Sequence, residues 1–411
     1  MRDKKGMLVF ISVFLLSLAL GFNPDLVTGE EKYVTFLCLN DFTGPVGGLG
    51  SPGNTGAEDY FSDLNARGGV QGVKVKYIAV DTRYDLARAV SAFKMYRKEH
   101  KLLMINGVST ALAKTISPFL DMDKLVMITP GAGEPQVRLG RIFLWGPAYQ
   151  NAFAASIDWM VEDWKKKGKP GKPVVGYMGW DNPMGREAIL GGKEYAEKIG
   201  VKLLQPEYYP PGSLKHDVWL NRLAQGGANY IYLSGVDPAS TNVIRDAYAL
   251  GLTKKIQMFT DFYGPNMGVG LTAHSKELEG TIFPDFRLRG VEVYKLPLTT
   301  RLWKNYRKKP ISEMTEAYSL GIFWALPFEA ALKIALNEVG YDKLDGEAIY
   351  QAYQKLTGID IFQGLGNRCA YSPTSRQATN TVKLYKVTGG KIISITDWRV
   401  VPDAVSLYNW K

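Results

Sequence analysis

Residues 48–53 have the spacing of a phosphate-binding loop. They satisfy the pattern G-x-G-x-x-G, whose glycines let the backbone approach a dinucleotide pyrophosphate at the N-terminus of a helix. That pattern normally follows a strand directly, but residues 40–47 separate it from the apolar run Tyr33–Leu39, and Pro52 lies inside it. We therefore interpret the segment as a flexible, glycine-rich loop that enters a helix at 54–66 and contributes to a small-molecule site.

No combination of side chains in the sequence indicates catalysis. The three histidines, His100, His216 and His274, are far apart, and the motifs of zinc proteases, serine hydrolases, thiol oxidoreductases and P-loop nucleotidases are absent. The acidic pair Asp121 and Asp123 is typical of a solvated helix surface rather than of an acid–base dyad. The sequence therefore predicts no catalytic residue, no metal site and no cofactor, and an unrecognised hydrolase is the remaining enzymatic alternative.

Two loops in the first half of the chain offer hydroxyls and free backbone amides. Ser109 and Thr110 follow the apolar run Leu102–Ile105, and the sequence Gly-Ala-Gly at 131–133 follows the next apolar run. Such donors can hold a carboxylate or an amide oxygen, although Ser109 can equally well act as a helix N-cap. Ligands of open α/β sheets bind outside the carboxyl ends of the strands, so both loops are candidates for one binding site.

Matching loops in the second half of the chain carry aromatic, aliphatic and acidic side chains. Aromatic rings can form the wall of a binding cleft, although a single aromatic residue is more often part of the core. Loops from both halves that face one cleft would form a binding site together. The residues concerned are Trp180, Met184, Val236, Asp237, Asp261 and Tyr263.

Two units of alternating strands and helices must position these loops. From Tyr33 onwards, short apolar strands alternate with helical patterns, which is typical of parallel βαβ units. The alternation breaks at Gly146-Pro147 and restarts at Val174. Near the end of the chain, Gly389-Gly390 predicts a tight hairpin between two strands.

The late helices and the hairpin must return to the earlier units, so each domain is predicted to be discontinuous. Residues 30–146 together with about 285–380 form the first lobe. Residues 147–284 together with about 381–411 form the second lobe.

The N-terminal segment has the features of an export signal. Arg2, Lys4 and Lys5 precede the apolar run Met7–Leu20, which is shorter than the about 20 residues that a membrane-spanning helix needs. We predict that residues 1–29 are a signal peptide, with an uncleaved anchor as the alternative. No second apolar run near that length was recognised in the rest of the chain, so the mature protein is expected to be soluble.

The formal net charge of +10 does not indicate a nucleic-acid partner. Lysines and arginines are dispersed along the chain, and the densest group, residues 165–172, is typical of a solvated helix end followed by a loop. The chain has two cysteines, and Cys38 lies inside the first predicted strand, where it acts as a small core hydrophobe. We therefore expect a small-molecule ligand and no nucleic acid.

A series of short motifs occurs in a specific order along the chain. They include T-G-P-V-G-G-L-G at 43–50, I-N-G-V-S-T at 105–110, I-T-P-G-A-G-E-P at 128–135, G-R-E-A at 185–188 and A-Y-S-L-G-I-F-W-A at 317–325. This series resembles the periplasmic leucine/isoleucine/valine-type solute-binding proteins of ABC importers, from residue 33 to about residue 396. The resemblance implies an α/β fold of two lobes, each a mostly parallel sheet flanked by helices, joined by a three-strand hinge. It also implies a periplasmic, monomeric receptor that is not an enzyme and that delivers its ligand to membrane permease subunits with their ATPases.

The resemblance implies ligand-binding residues on both lobes. Ser109 and Thr110 match the hydroxyl pair that takes a ligand carboxylate, and Asp261 matches the acid that pairs with an α-ammonium. The backbone of Gly131 and Ala132 matches further contacts. The full candidate set is Phe42, Leu49, Gly50, Ser109, Thr110, Gly131, Ala132, Gly133, Trp180, Met184, Val236, Asp237, Asp261 and Tyr263.

The sequence departs from the amino-acid binders of this family at several of these positions. Gly133 stands where those proteins have a threonine hydroxyl, and Leu49, Met184 and Val236 replace aromatic residues. The expected ligand is therefore an amino acid, an amide, or an aromatic or hydrophobic carboxylate. The alternative function is a ligand sensor of the same fold that regulates a signalling partner.

Overall fold

The computed structural model describes residues 31–133, 140–266 and 270–410. The predicted signal peptide, residues 1–29, lies outside the described residues. Within the described part, two sheets with packed helices form two α/β lobes, as predicted. The predicted lobe boundaries stay a prediction.

The first lobe is built on five parallel strands among the described residues. These are β1 (Tyr33–Asn40), β2 (Lys74–Asp81), β3 (Leu102–Gly107), β4 (Val126–Thr129) and β5 (Ile142–Leu144). Their order is β2-β1-β3-β4-β5, so the direction of winding reverses between β1 and β3. The carboxyl ends of these two strands flank a crevice, which is where open α/β sheets bind ligands.

In the part of the chain that the structure describes, three helices connect strands of the first sheet. They are α1 (Gly47–Ala66), α2 (Leu86–Tyr96) and α3 (Thr110–Asp123). Asp85 caps α2, as its side chain accepts a hydrogen bond from the N–H of Arg88 at 2.7 Å. Ser109 caps α3 in the same way, accepting from the N–H of Leu112 at 3.3 Å. The caps fix where both helices begin and thereby hold the strand-end loops in place.

The second lobe is built on a nine-stranded sheet within the described part of the chain. Its strands are β6 (Val174–Trp180), β7 (Lys202–Leu203), β8 (Glu207–Tyr209), β9 (Tyr230–Ser234), β10 (Gln257–Thr260), β11 (Ile282–Asp285), β12 (Thr381–Thr388), β13 (Lys391–Ser394) and β14 (Arg399–Val400). The main path is β13-β12-β11-β10-β9-β6-β7, while β8 pairs with β6 and β14 with β12. Strands β6 to β11 are parallel, and the last three are antiparallel additions. Here the winding reverses between β6 and β9, which gives the second lobe its own crevice.

The remaining helices flank both sheets. They are α4 (Tyr149–Lys166), α5 (Pro183–Glu187), α6 (Ile189–Lys198), α7 (Asp217–Gln225), α8 (Ala239–Ala249), α9 (Gly270–Ala273), α10 (Pro297–Leu302), α11 (Tyr318–Val339) and α12 (Gly346–Tyr353). Short 3₁₀ segments cover Leu252–Lys254, Gly290–Lys295, Ile311–Glu313 and Val405–Leu407, and a π-helical turn covers Trp303–Arg307. Residues 290–307 thus form three consecutive short helical segments of different type.

Three segments of the chain pass between the lobes and pack side by side. After β5, the N–H of Leu144 donates to the carbonyl of Arg376 at 2.7 Å, and the N–H of Ala378 donates back to the carbonyl of Leu144 at 3.2 Å. A Cβ on Gly146 would lie 2.3 Å from the ring of Phe286, just after β11, so only glycine fits there. These contacts form the three-strand hinge that the family resemblance implies.

The glycine-rich segment is helical, and its prediction as a flexible loop was wrong. Helix α1 begins at Gly47, and Pro52 lies inside it. A Cβ on Gly50 would lie 1.8 Å from the carbonyl oxygen of Asp41, and one on Gly53 would lie 2.7 Å from the indole of Trp324. The glycines therefore serve close packing of the helix against its neighbours and not flexibility.

Helix α11 is the core helix of the first lobe. It has the length and apolar composition of a membrane span, a feature that the search for apolar runs missed, but 78% of its most apolar window is buried inside the protein. It crosses α1 at very short distance, because a Cβ on Gly321 would lie 1.7 Å from the carbonyl oxygen of Gly53. Burial on this scale is typical of a helix inside a soluble core.

Candidate functional site

A cavity lies where the two crevices meet, and residues of both lobes line it. Seven of the 14 residues predicted from the sequence are among its walls: Leu49, Gly50, Ser109, Thr110, Met184, Val236 and Tyr263. The centres of water molecules can reach about 40 Å³ of this space. A single water needs roughly 10–15 Å³ by the same measure, so the cavity suits a compact solute.

The other walls were not predicted. They are Asn40, Val46, Tyr84, Val108, Pro130, Trp145, Tyr149, Leu320 and Trp324. Trp145 and Trp324 pack with ring centroids 4.7 Å apart, and Tyr263 meets Trp145 edge-on at 6.4 Å. Their rings make the cavity mainly apolar, which favours a solute with a hydrophobic body.

The two tryptophans of the wall differ in whether their indole N–H is free to bind a solute. The indole N–H of Trp145 donates to the side-chain oxygen of Asn106 at 3.1 Å and is thereby fixed. The indole N–H of Trp324 has no partner among the described residues. Because an unpaired buried donor is costly, Trp324 is suited to donate to an acceptor on a bound solute.

The predicted loop at 131–133 contacts a side chain from the other lobe. The backbone N–H groups of Ala132 and Gly133 donate to Oε1 of Glu187 at 3.4 and 3.2 Å, and the hydroxyl of Thr110 donates to Oε2 at 3.2 Å. Glu187 lies at the end of α5 and is 2% exposed. Burial raises the pKa of this carboxyl, while these donors and the charge of Lys114 act in the opposite direction. The motif G-R-E-A contains this residue, but no sequence pattern indicated its partners.

Asp261 is buried beneath the loops of the second lobe. Its carboxylate accepts from the backbone N–H of Tyr263 at 2.9 Å and from that of Gly235 at 3.1 Å. Burial raises the pKa of Asp261 to about 8 despite these hydrogen bonds. Asp261 is not among the cavity walls, but its neighbour Tyr263 is.

Two unpaired polar groups lie close to Gly235, next to Asp261. A Cβ on Gly235 would be 3.1 Å from the hydroxyl of Tyr209 and 3.8 Å from Nε1 of Trp180. Neither atom has a hydrogen-bond partner among the described residues, and both side chains are buried. The second lobe thus holds a small polar cluster of a carboxyl, a hydroxyl and an indole N–H.

The remaining predicted residues have structural contacts of their own. Asp237 accepts a hydrogen bond from the hydroxyl of Thr241 at 2.5 Å, and its N–H donates to the carbonyl of Tyr263 at 2.8 Å. The N–H of Phe42 donates to the carboxylate of Asp81 at 2.9 Å. Phe42, Gly131, Ala132, Gly133, Trp180 and Asp237, like Asp261, are absent from the walls, and a role of these residues in binding stays a prediction.

Known proteins resemble this chain over most of its length. The sequence profile of the periplasmic binding protein family matches residues 34–391. An amino acid binding protein of Pseudomonas aeruginosa is 23% identical to this chain in the region that matches. That region covers 59% of this chain and only 64% of the relative. The Leu/Ile/Val-binding protein of Escherichia coli K12 is 22% identical over 78% of this chain and 83% of the relative.

A solved structure has the same fold. It is a branched-chain amino acid ABC transporter protein from Thermus thermophilus with bound valine, which superposes with a TM-score of 0.80 at 18% identity. The superposition covers 91% of this chain and 98% of that one. From the two-lobed fold and the match over residues 34–391, we conclude that the chain belongs to the periplasmic binding protein family, whose members are solute-binding proteins and not enzymes.

Proposed function

We propose that this protein is a periplasmic receptor that captures a compact, largely apolar solute and delivers it to an ABC permease in the membrane. The observation that carries this proposal is the cavity at the winding reversals of both sheets, lined by residues of both lobes. The named relatives that bind leucine, isoleucine and valine support it, as does the neighbour with bound valine. The export signal predicted at residues 1–29 is consistent with this location.

Capture depends on contacts that exist only when both lobes surround the solute. Leu49 and Ser109 belong to the first lobe, whereas Met184 and Val236 belong to the second. A solute between them stabilises the closed arrangement relative to the open one. The gain equals the difference between its binding free energies for the two arrangements. Gly146 lies after the last residue of β5, so we expect closure to bend the chain near this position.

A thermal-shift screen tests the proposed capture. The panel contains branched-chain amino acids, their amides, and small aromatic and aliphatic acids. A true ligand at about 100 times its Kd stabilises the folded state by roughly 2.7 kcal/mol, which raises the melting temperature. Met184→Ala, which removes part of the cavity wall, should weaken the binding of that ligand several-fold, whereas the exposed Met95→Ala should not. If no compound of the panel shifts the melting temperature, the proposed solute classes are wrong.

The predicted role of Asp261 depends on an ammonium group in the ligand. Valinamide and 3-methylbutanamide share one skeleton and differ in that group. Near pH 6.5 the amine of valinamide is charged, whereas a carboxyl with a pKa of about 8 is mostly protonated. Binding of valinamide should therefore release a proton from Asp261, because a nearby cation lowers the pKa of a carboxyl.

Asp261→Asn should weaken valinamide binding by roughly tenfold and leave 3-methylbutanamide within about a factor of two. Titration calorimetry in buffers of different ionisation enthalpy measures both the affinity and the released proton. The amide without the amine is the internal control for correct folding. Equal losses for the two compounds would remove Asp261 from the ammonium site.

A further inference from the structure

The donors that the sequence analysis assigned to a ligand carboxylate already hold a carboxylate of the protein. The hydroxyl of Thr110 and the backbone N–H groups of Ala132 and Gly133 converge on Glu187 at 3.2 to 3.4 Å. A Cβ on Gly131 would lie 2.8 Å from Oε2 of Glu187, so this loop is shaped around the carboxylate. We name Thr110 and residues 131–133 the carboxylate clamp.

Glu187 reaches the clamp from the other lobe. It is the last residue of α5, the short helix that follows β6 in the second lobe. The clamp follows β3 and β4 in the first lobe. At this position the side chain of Glu187 is buried. A second carboxylate at the clamp would have to displace Glu187 or lie beside it, and two buried like charges repel each other strongly.

The directions of the hydroxyl protons of Ser109 and Thr110 determine which hydrogen bonds a solute can make at this end of the cavity. Thr110 also lines the cavity, and its single proton points to Glu187, so its oxygen can only accept a hydrogen bond from a solute. Ser109 accepts from the N–H of Leu112, so its own proton is available for donation to a solute. One acceptor beside one donor matches a carboxamide, which carries both C=O and N–H, whereas a carboxylate can accept from Ser109 but has no proton to donate to Thr110.

We propose that Glu187 is a built-in occupant of the carboxylate clamp and makes the receptor select solutes that carry an uncharged amide in place of a carboxylate. This selectivity rests on the proposed capture function, whereas the occupancy of the clamp does not. Glu187 is thus a specificity-determining residue that acts through Thr110.

A rescue experiment without any transported ligand tests the occupancy. Glu187→Ala removes four heavy atoms, two carbons and two oxygens, which are the heavy atoms of acetate. Acetate at tens of millimolar should raise the melting temperature of this variant by a few degrees, by mass action. The wild type should not respond, and neither should Glu197→Ala, a control at an exposed position of α6. Acetamide, which has the same shape without the charge, should stabilise the variant far less than acetate.

The rescue experiment has clear contrary results. An equal response of wild type and variant to acetate, or an equal response of the variant to acetate and acetamide, would overturn the occupancy. If Glu187→Ala does not fold, Glu187→Leu, which has a similar size but no acceptor for these donors, replaces it, and amide hydrogen exchange at Ala132 and Gly133 is measured. Loss of the acceptor should speed their exchange by roughly tenfold, and unchanged exchange would overturn the proposal.

The selectivity is tested with 3-methylbutanamide and 3-methylbutanoate, which differ only at the proposed end. Wild type should bind the amide at least roughly tenfold more tightly than the acid, and Glu187→Ala should narrow or invert this ratio. Tighter binding of the acid by the wild type overturns the selectivity. If neither compound nor any of the panel binds while acetate still rescues Glu187→Ala, the capture function fails and the occupancy of the clamp stands.

Discussion

Arg289→Met is expected to lower the free energy of unfolding by roughly 3–5 kcal/mol, the range for removing one partner of a buried charge network. The guanidinium of Arg289 is fully buried and contacts the carboxylates of Asp285 and Glu316, the latter at 2.9 Å. It also donates to the carbonyl oxygens of Phe262 at 3.0 Å and Pro265 at 2.6 Å. Burial opposes the charge on Glu316, but Arg289 overcomes this and lowers the pKa of that carboxyl. Without Arg289, two carboxylates stay buried with one cation fewer.

A control variant at Arg399 separates the effect of burial from the effect of removing a positive charge. Arg399 pairs with Glu162, but that carboxylate is more than half exposed. Arg399→Met should therefore cost less than about 1 kcal/mol. Urea denaturation followed by circular dichroism gives both values. A loss for Arg289→Met no larger than that for Arg399→Met would show that the buried network contributes no more to stability than an exposed ion pair.

Gly321→Ala is expected to lower the free energy of unfolding by at least about 2 kcal/mol, because the added methyl meets backbone atoms that cannot turn away. It would lie 1.7 Å from the carbonyl oxygen of Gly53 and 2.6 Å from the nitrogen of Ala57. In a solvated helix the same change would be favourable by about 1 kcal/mol, so the sign of the result is informative. Helices α1 and α11 must move apart, and Leu49 and Trp324, which line the cavity from these two helices, must move with them.

Lys333→Ala, on the exposed side of α11, is the control for Gly321→Ala. It should be neutral within about 0.5 kcal/mol. Thermal and urea denaturation of both variants, together with the thermal shift caused by any ligand of the wild type, measure the two effects. If Gly321→Ala is as stable as the wild type, the two helices do not pack as closely as described.

The sequence allowed much of the fold and about half of the cavity wall to be predicted, because parallel sheets place their ligand sites at strand ends. Ser109 follows β3, Val236 follows β9 and Tyr263 follows β10, so the positions of the strands were sufficient to find them. The helix N-cap and the binding role proposed for Ser109 are compatible, since a capping hydroxyl keeps its proton.

The missed residues depend on contacts between distant parts of the chain. Trp324 reaches the cavity from α11, whose place beside α1 follows from packing and not from any local pattern. Glu187 belongs to the motif G-R-E-A but was not predicted as a site residue, because its partners lie more than 50 residues away. Glycines are ambiguous in a similar way, because a glycine in the sequence can indicate either close packing or flexibility. At Gly50 only the structure, with the carbonyl of Asp41 next to it, shows that the reason is close packing.

The crossing of α1 and α11 also determines the order in which the protein can fold. Helix α1 ends at residue 66, but its partner begins at residue 318, so a chain that emerges N-terminus first exposes the face of α1 that packs on α11 until most of the sequence has followed. The first sheet is complete at residue 144, but the helix that buries this face of α1 is then still missing. Contacts of such long sequence separation slow folding. A fragment that ends before residue 318 should therefore stay unfolded in its first lobe, although it contains all five strands of that sheet.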